Sequence, residues 1–126
     1  MSLQLPTPDP QPPRHRLNAW RYTIPASACS SPDAPRSFVI RELTLSDRRR
    51  AEDLAHGNAQ ELGRELIFAS VLSFGDTPAD GNYEGLVAWY GQIGPRAQLL
   101  LDRAFLRHNT PSEDDQAMFL SSMVPV

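Results

Sequence analysis

Asn58 to Asp76 reads NAQELGRELIFASVLSFGD. Asn58 is a strong N-cap residue, Glu61 stands at the third helical position, and Leu62, Leu66, Ile67, Ala69, Val71 and Phe74 recur with helical spacing. Such a stripe is wide enough to pack a helix on a core. Gly75 is placed to end that helix, so the expectation is a helix from Ala59 to Phe74 with Leu62 and Leu66 in the core.

Working upstream, Thr44 followed by Asp47 reads as an N-cap with an acidic partner, opening a short helix from Leu45 to Ala55 that Gly57 ends. Before it, Phe38 and Ile40 alternate with Val39 and Arg41 as a short strand from Ser37 to Leu43. One strand needs a partner. Three sources are open: the segment around Arg21 to Ile24, the loop near residues 76 to 85, or a second copy of the chain.

Downstream, Asp-Thr-Pro and Asp-Gly steps between Asp76 and Gly81 mark a turn-rich connection. Tyr83 to Tyr90 reads as a short helix, and Gly94-Pro95 starts another in which Leu99, Leu100, Ala104, Phe105 and His108 follow at helical spacing. Asn109-Thr110-Pro111 breaks it, and Ser112 with Asp115 caps a last helix running through Met118, Phe119 and Ser122. Phe105 and Phe119 join the expected core. The fold class that follows is mainly α: a small helical bundle of four or five helices with a short N-terminal strand or hairpin, preceded by a Pro-rich extended arm.

The domain division follows from the prolines. Eight of the 12 precede Ser37, so residues 1–36 are expected to be arm and linker and residues 37–126 the helical domain. Within the arm, Trp20, Arg21 and Tyr22 place aromatics beside a cation, the residue types that dominate interface energetics. They are the candidate protein-binding residues; folding of Trp20 and Tyr22 back onto the chain's own core is the equally weighted reading.

Composition narrows the chemistry. Residues 1–50 carry eight arginines against four acids and residues 51–126 carry four against eleven, giving a net charge of −3 with no lysine. A basic arm on an acidic body can dock on an acidic partner, while an acidic body disfavours general phosphate-backbone binding. Arg48, Arg49 and Arg50 fan out over about 200° of helix and cannot share one groove. Nucleic acid is therefore an unfavoured partner.

The lone Cys29 precludes an intrachain disulfide and a four-cysteine zinc site, and it lies among serines with no histidine to activate it. His15, His56 and His108 lack the spacing of a helical metal site, and the pairs Asp53/His56 and Glu61/Glu65 read as solvated helix faces. No glycine run forms a phosphate loop. Neither catalytic residues, nor a metal, nor a cofactor is expected. No apolar run approaches the roughly 20 residues needed to span a bilayer, and the N-terminus lacks a signal-peptide core, so a cytoplasmic location is expected.

The string FVIRELTLS from Phe38 to Ser46, followed by ELGRELIFASVLSFGD from Glu61 to Asp76, resembles the opening of small phage tail proteins. The C-terminal string RAQLLLDRAFLRHNTPSEDD from Arg96 to Asp115 is similar to the ending of the same group. The resemblance covers about residues 38 to 120. It implies a non-enzymatic protein that binds other tail components, such as tape measure, tube or baseplate proteins, and that can form oligomers. A tail-assembly chaperone would act in the cytoplasm of the bacterial host and then leave; a baseplate or hub component of a contractile tail or injection machine would stay in the virion tail, tethered by its arm. A small hydrolase or metal enzyme is the remaining class, and it would need a polar cleft joining His56 or His108 to carboxylates.

Overall fold

The computed structural model describes residues 18–125; the Pro-rich stretch through Pro13 lies outside them. The strand expected after residue 36 is β2 (Ser37–Arg41), and it lies inside an antiparallel sheet ordered β1-β2-β3-β4. Its first partner is β1 (Ala19–Thr23), in the register Trp20↔Ile40 and Tyr22↔Phe38. Residues directly opposite in such a pair share a face. Trp20 and Tyr22 thus join Phe38 and Ile40 on the core side, while Ala19, Arg21 and Thr23 face solvent.

The second partner overturns the reading of a mainly α bundle with one short strand or hairpin. The helix opened by Asn58 ends at Ser70 as α2 (Ala59–Ser70), and the next four residues are β3 (Val71–Phe74), paired with β2 through Phe38↔Phe74 and Val39↔Ser73. The register slips between Val39 and Ile40, leaving Leu72 as an extra residue in a bulge. Gly75 does not cap a helix. It takes φ 59° as the first residue of a two-residue turn that returns the chain as β4 (Thr77–Pro78), the geometry a glycine at that turn position permits. Val71 and Phe74 keep the i, i+3 spacing of a helix, and in β3 the extra residue of the bulge puts both on the core face.

Helices hold 57% of the described residues, yet the core is built between helix and sheet, so the fold is α+β and not a four- or five-helix bundle. α1 (Leu45–Ala55) packs along α2, and α3 (Tyr83–Asn109) lies on the sheet. Thr44 and Asp47 form a reciprocal capping box at the start of α1, Asn58 accepts from Glu61 N–H at α2, and Asn82 accepts from Gly85 N–H at α3. Trp89 is 1% exposed, stacks on Phe74 at 5.4 Å between centroids, and continues along α3 into Ile93, Ala97, Leu101 and Ala104. This stripe shares Ala104 with the one expected but is shifted at the leucines. Leu99 and Leu100 point outward, and Leu101 takes the buried position.

The two helices expected either side of Gly94 form one element with a break at that glycine, at φ 84° and ψ 171°. Pro95 restarts the helix, where its missing N–H is harmless. The carbonyl of Ile93 left over at the break accepts from Ser30 N–H at 2.9 Å, and a Cβ on Gly94 would stand 1.8 Å from Ser30 Oγ. Segment 25–36, read from composition as linker, is seated at this break. Ile24, Ala28 and Ala34 are buried, Arg36 donates to Ile24 O, and Trp89 Nε1 donates to Pro35 O at 2.8 Å. Proline and serine are common here because the chain crosses the core in short non-repetitive turns whose polar groups bond to α3.

Three expected core residues sit elsewhere. Leu66 and Leu62 are half-buried, and Ile67, Phe68 and Val71 take the interior positions. Phe119 lies on α4 (Glu113–Ser121) and is 75% exposed. Phe105 packs against the core as a partly buried residue.

Candidate protein-interaction surfaces

Of the three candidate binding residues, the structure turns two inward. Trp20 stacks face to face on His108, with ring centroids 3.6 Å apart and planes 10° from parallel. The Tyr22 hydroxyl hydrogen-bonds His108 Nε2, and its ring stacks on Phe38. Burial and then the neighbouring Arg107 guanidinium lower the pKa of His108, partly offset by Glu42, so the imidazole is neutral at neutral pH. The cluster latches β1 to the C-terminal end of α3. Arg21 alone faces solvent, on the outer face of the sheet's edge strand.

Beside this latch, Tyr22, Ile24, Phe38, Leu100 and Ala104 line an apolar slot of about 280 Å³, with Arg103 and Arg107 also at its wall. Neither arginine makes an ion pair among the described residues. Sequence reasoning missed this slot because Leu100 reads as core. The recoverable signal was the pair Arg103/Arg107, one helical turn apart next to leucines at 99, 100 and 106.

A larger cleft, about 650 Å³, opens between α1, α2, the β3–β4 hairpin and the start of α3. Its floor is Ala51, Phe68, Val71 and Leu86, all buried, and Leu54, Leu72 and Tyr83 stand exposed at its rim. Two polar pairs hold the walls. Arg41 grips Asp47 through both guanidinium nitrogens at 2.6 and 3.1 Å and donates to Ala69 O at the end of α2. Burial alone would raise the Asp47 pKa. The hydrogen bonds from Arg41 and Thr44 outweigh it and hold the carboxyl at about 2. Glu65, 4% exposed, accepts from the Tyr83 hydroxyl. Desolvation and then this bond push the phenol up to about 12, so it stays a donor.

These pairs fix the cleft's shape and leave its floor apolar. Glu61 turns away from Glu65 to pair with Arg64 at 2.9 Å, and Asp53 and His56 are exposed. Among the described residues no three His, Cys, Asp or Glu side chains come together as a metal-ligand set, and no helix is long and apolar enough to cross a membrane. Cys29 packs partly against the core.

A third surface is α4 itself. A capping box of Ser112 and Asp115 starts it, Glu113, Asp114 and Asp115 crowd its first turn, and none of its residues is buried. Met118, Phe119, Leu120, Met123 and Val124 are 66–80% exposed, a contiguous apolar end of the kind that marks an interaction site. No family model matches the chain, and neither a curated protein nor a solved structure matches it.

Proposed function

We propose that the chain is a non-enzymatic protein-binding factor of the phage tail-assembly chaperone type, which holds an apolar helical segment of another tail protein, such as the tape measure, in the host cytoplasm. The observation that carries this reading is the cleft of about 650 Å³, apolar on its floor and bordered by exposed Leu54 and Leu72. An amphipathic helix laid into a groove is a standard way to shelter a partner's apolar face, reading it through anchors at helical spacing. Arg50 and Asp80 both line the cleft and give an incoming helix charge cues for orientation. The resemblance of residues 38 to 120 to tail proteins supplies the class of partner.

The test is co-expression with the tape-measure protein of the phage genome that encodes the chain, followed by affinity purification and by mass spectrometry of mature particles. The expected outcome is a soluble complex with the tape measure, lost in Leu54→Asp/Leu72→Asp, and absence of the chain from particles. Protease-resistant copies in mature particles would overturn the chaperone reading in favour of a structural tail component. No complex and no copies would overturn both.

A further inference from the structure

The slot beside the latch and the helix α4 are complementary, and the structure holds the two apart within one chain. The slot is apolar inside, with Arg103 and Arg107 one helical turn apart at its wall. α4 offers the reverse arrangement: three carboxylates in its first turn and, beginning one turn later, Met118, Phe119 and Leu120. Asp115 and Phe119 lie four residues apart and so share a face of α4. A phenyl ring seated against Tyr22, Ile24 and Leu100 brings that acidic turn to the height of the two guanidinium groups.

Within one chain the structure keeps the two apart. α3 ends at Asn109, and Thr110 (φ −126°, ψ 140°), Pro111 and Ser112 (φ −72°, ψ 170°) run extended before α4 begins. Proline keeps its predecessor out of the helical region, and the chain bends at Thr110 between the two helices. The slot lies back along α3 at residues 100–107, while every residue from 110 to 125 stays exposed.

We infer that α4 of one copy docks in the Arg103/Arg107 slot of a second copy, with Phe119 as the anchor and the Glu113–Asp115 turn paired to the arginines. Both halves of the contact are present on every chain, so two copies exchange helices reciprocally and close as a pair. The aromatic anchor supplies the affinity and the charges set the orientation. This contact uses neither Leu54 nor Leu72, so it stands or falls apart from the client cleft.

Sedimentation equilibrium of the full chain, with circular dichroism to confirm folding, tests it. Wild-type protein is expected to form a concentration-dependent pair that weakens as salt is raised. Phe119→Asp, Arg103→Glu/Arg107→Glu and Glu113→Arg/Asp114→Arg are each expected to sediment as single chains with unchanged helicity. Mixing the last two restores both contacts at once, since each now carries the charge the other's partner site needs, and the pair is expected to return. A wild-type protein that stays a single chain, a pair that survives Phe119→Asp, or a mixture that fails to re-form it overturns the inference.

Discussion

Gly94 has a backbone angle that L side chains resist and a neighbour, Ser30, where its Cβ would stand. Gly94→Ala combines strain at positive φ with displacement of the Ser30 backbone, and is expected to cost about 2–4 kcal/mol in urea unfolding. A loss below about 1 kcal/mol would show that segment 25–36 moves aside freely. Two aspartates predict opposite responses to pH. Against desolvation by burial, the Arg41 and Thr44 hydrogen bonds hold the Asp47 carboxyl at about 2, below the 3.8 ordinary for an aspartate. Its stabilisation, on the order of 2 kcal/mol, is complete above the unfolded value and is lost as pH falls through the folded one. Asp47→Asn should flatten that decline in the urea midpoint between about pH 5 and 2. Asp102 has its Oδ1 buried with no partner among the described residues, and desolvation raises its pKa. Its protonated form is favoured by folding, so its contribution is present below the unfolded pKa and lost as pH rises through the folded one. Asp102→Asn is therefore expected to stabilise the protein at neutral pH, by about 1 kcal/mol, in the same assay.

At the scale of elements, the caps and the alternation of Phe38 and Ile40 in β2 were legible, while the helical periodicities misled in two places. Thr44, Asn58 and Ser112 start helices where their side chains can take up free N–H groups, a local requirement that survives any tertiary context. β3 was hidden because Val71 and Phe74 continue the spacing of α2, and only pairing with Phe38 separates the two readings. The core stripe of α3 was misphased because three leucines in a row, 99 to 101, give periodicity no preference. Burial against the sheet chooses Leu101. The same logic separates Trp89 from Phe119, two large aromatics on helices. Trp89→Ala is expected to cost about 3–5 kcal/mol, and Trp89→Phe, which strands the Pro35 carbonyl, about 1–3 kcal/mol. Phe119→Ser, at 75% exposure, should change unimolecular stability by less than about 0.5 kcal/mol. Comparable losses at both positions would mean that α4 packs on its own body.

Across the whole molecule, composition drew a boundary near residue 36 at which the packing shows no break. β1, Ile24, Ala28 and Ala34 complete the sheet and core from the N-terminal side. A chain beginning at Ser37 leaves β2 without its neighbour and Trp89 without the Pro35 carbonyl. It is expected to lose the cooperative thermal transition, whereas a chain ending at Thr110 should keep it within about 2 °C, since none of the described residues beyond it is buried. The candidate surfaces were the least legible part: exposed leucines and arginines become a slot or a cleft only when strands and helices far apart in sequence frame them.

Tyr22 and His108, the two halves of the latch, stand 86 positions apart. During translation the first strand of the sheet leaves the ribosome long before the helix end that secures it, and Trp20 and Tyr22 spend that interval uncovered. Loop closure over such a span is entropically costly and slows folding. The order of synthesis therefore leaves an apolar edge strand waiting on the last turns of α3, and the nascent protein is itself most exposed to unwanted pairing just before its C-terminal quarter is made.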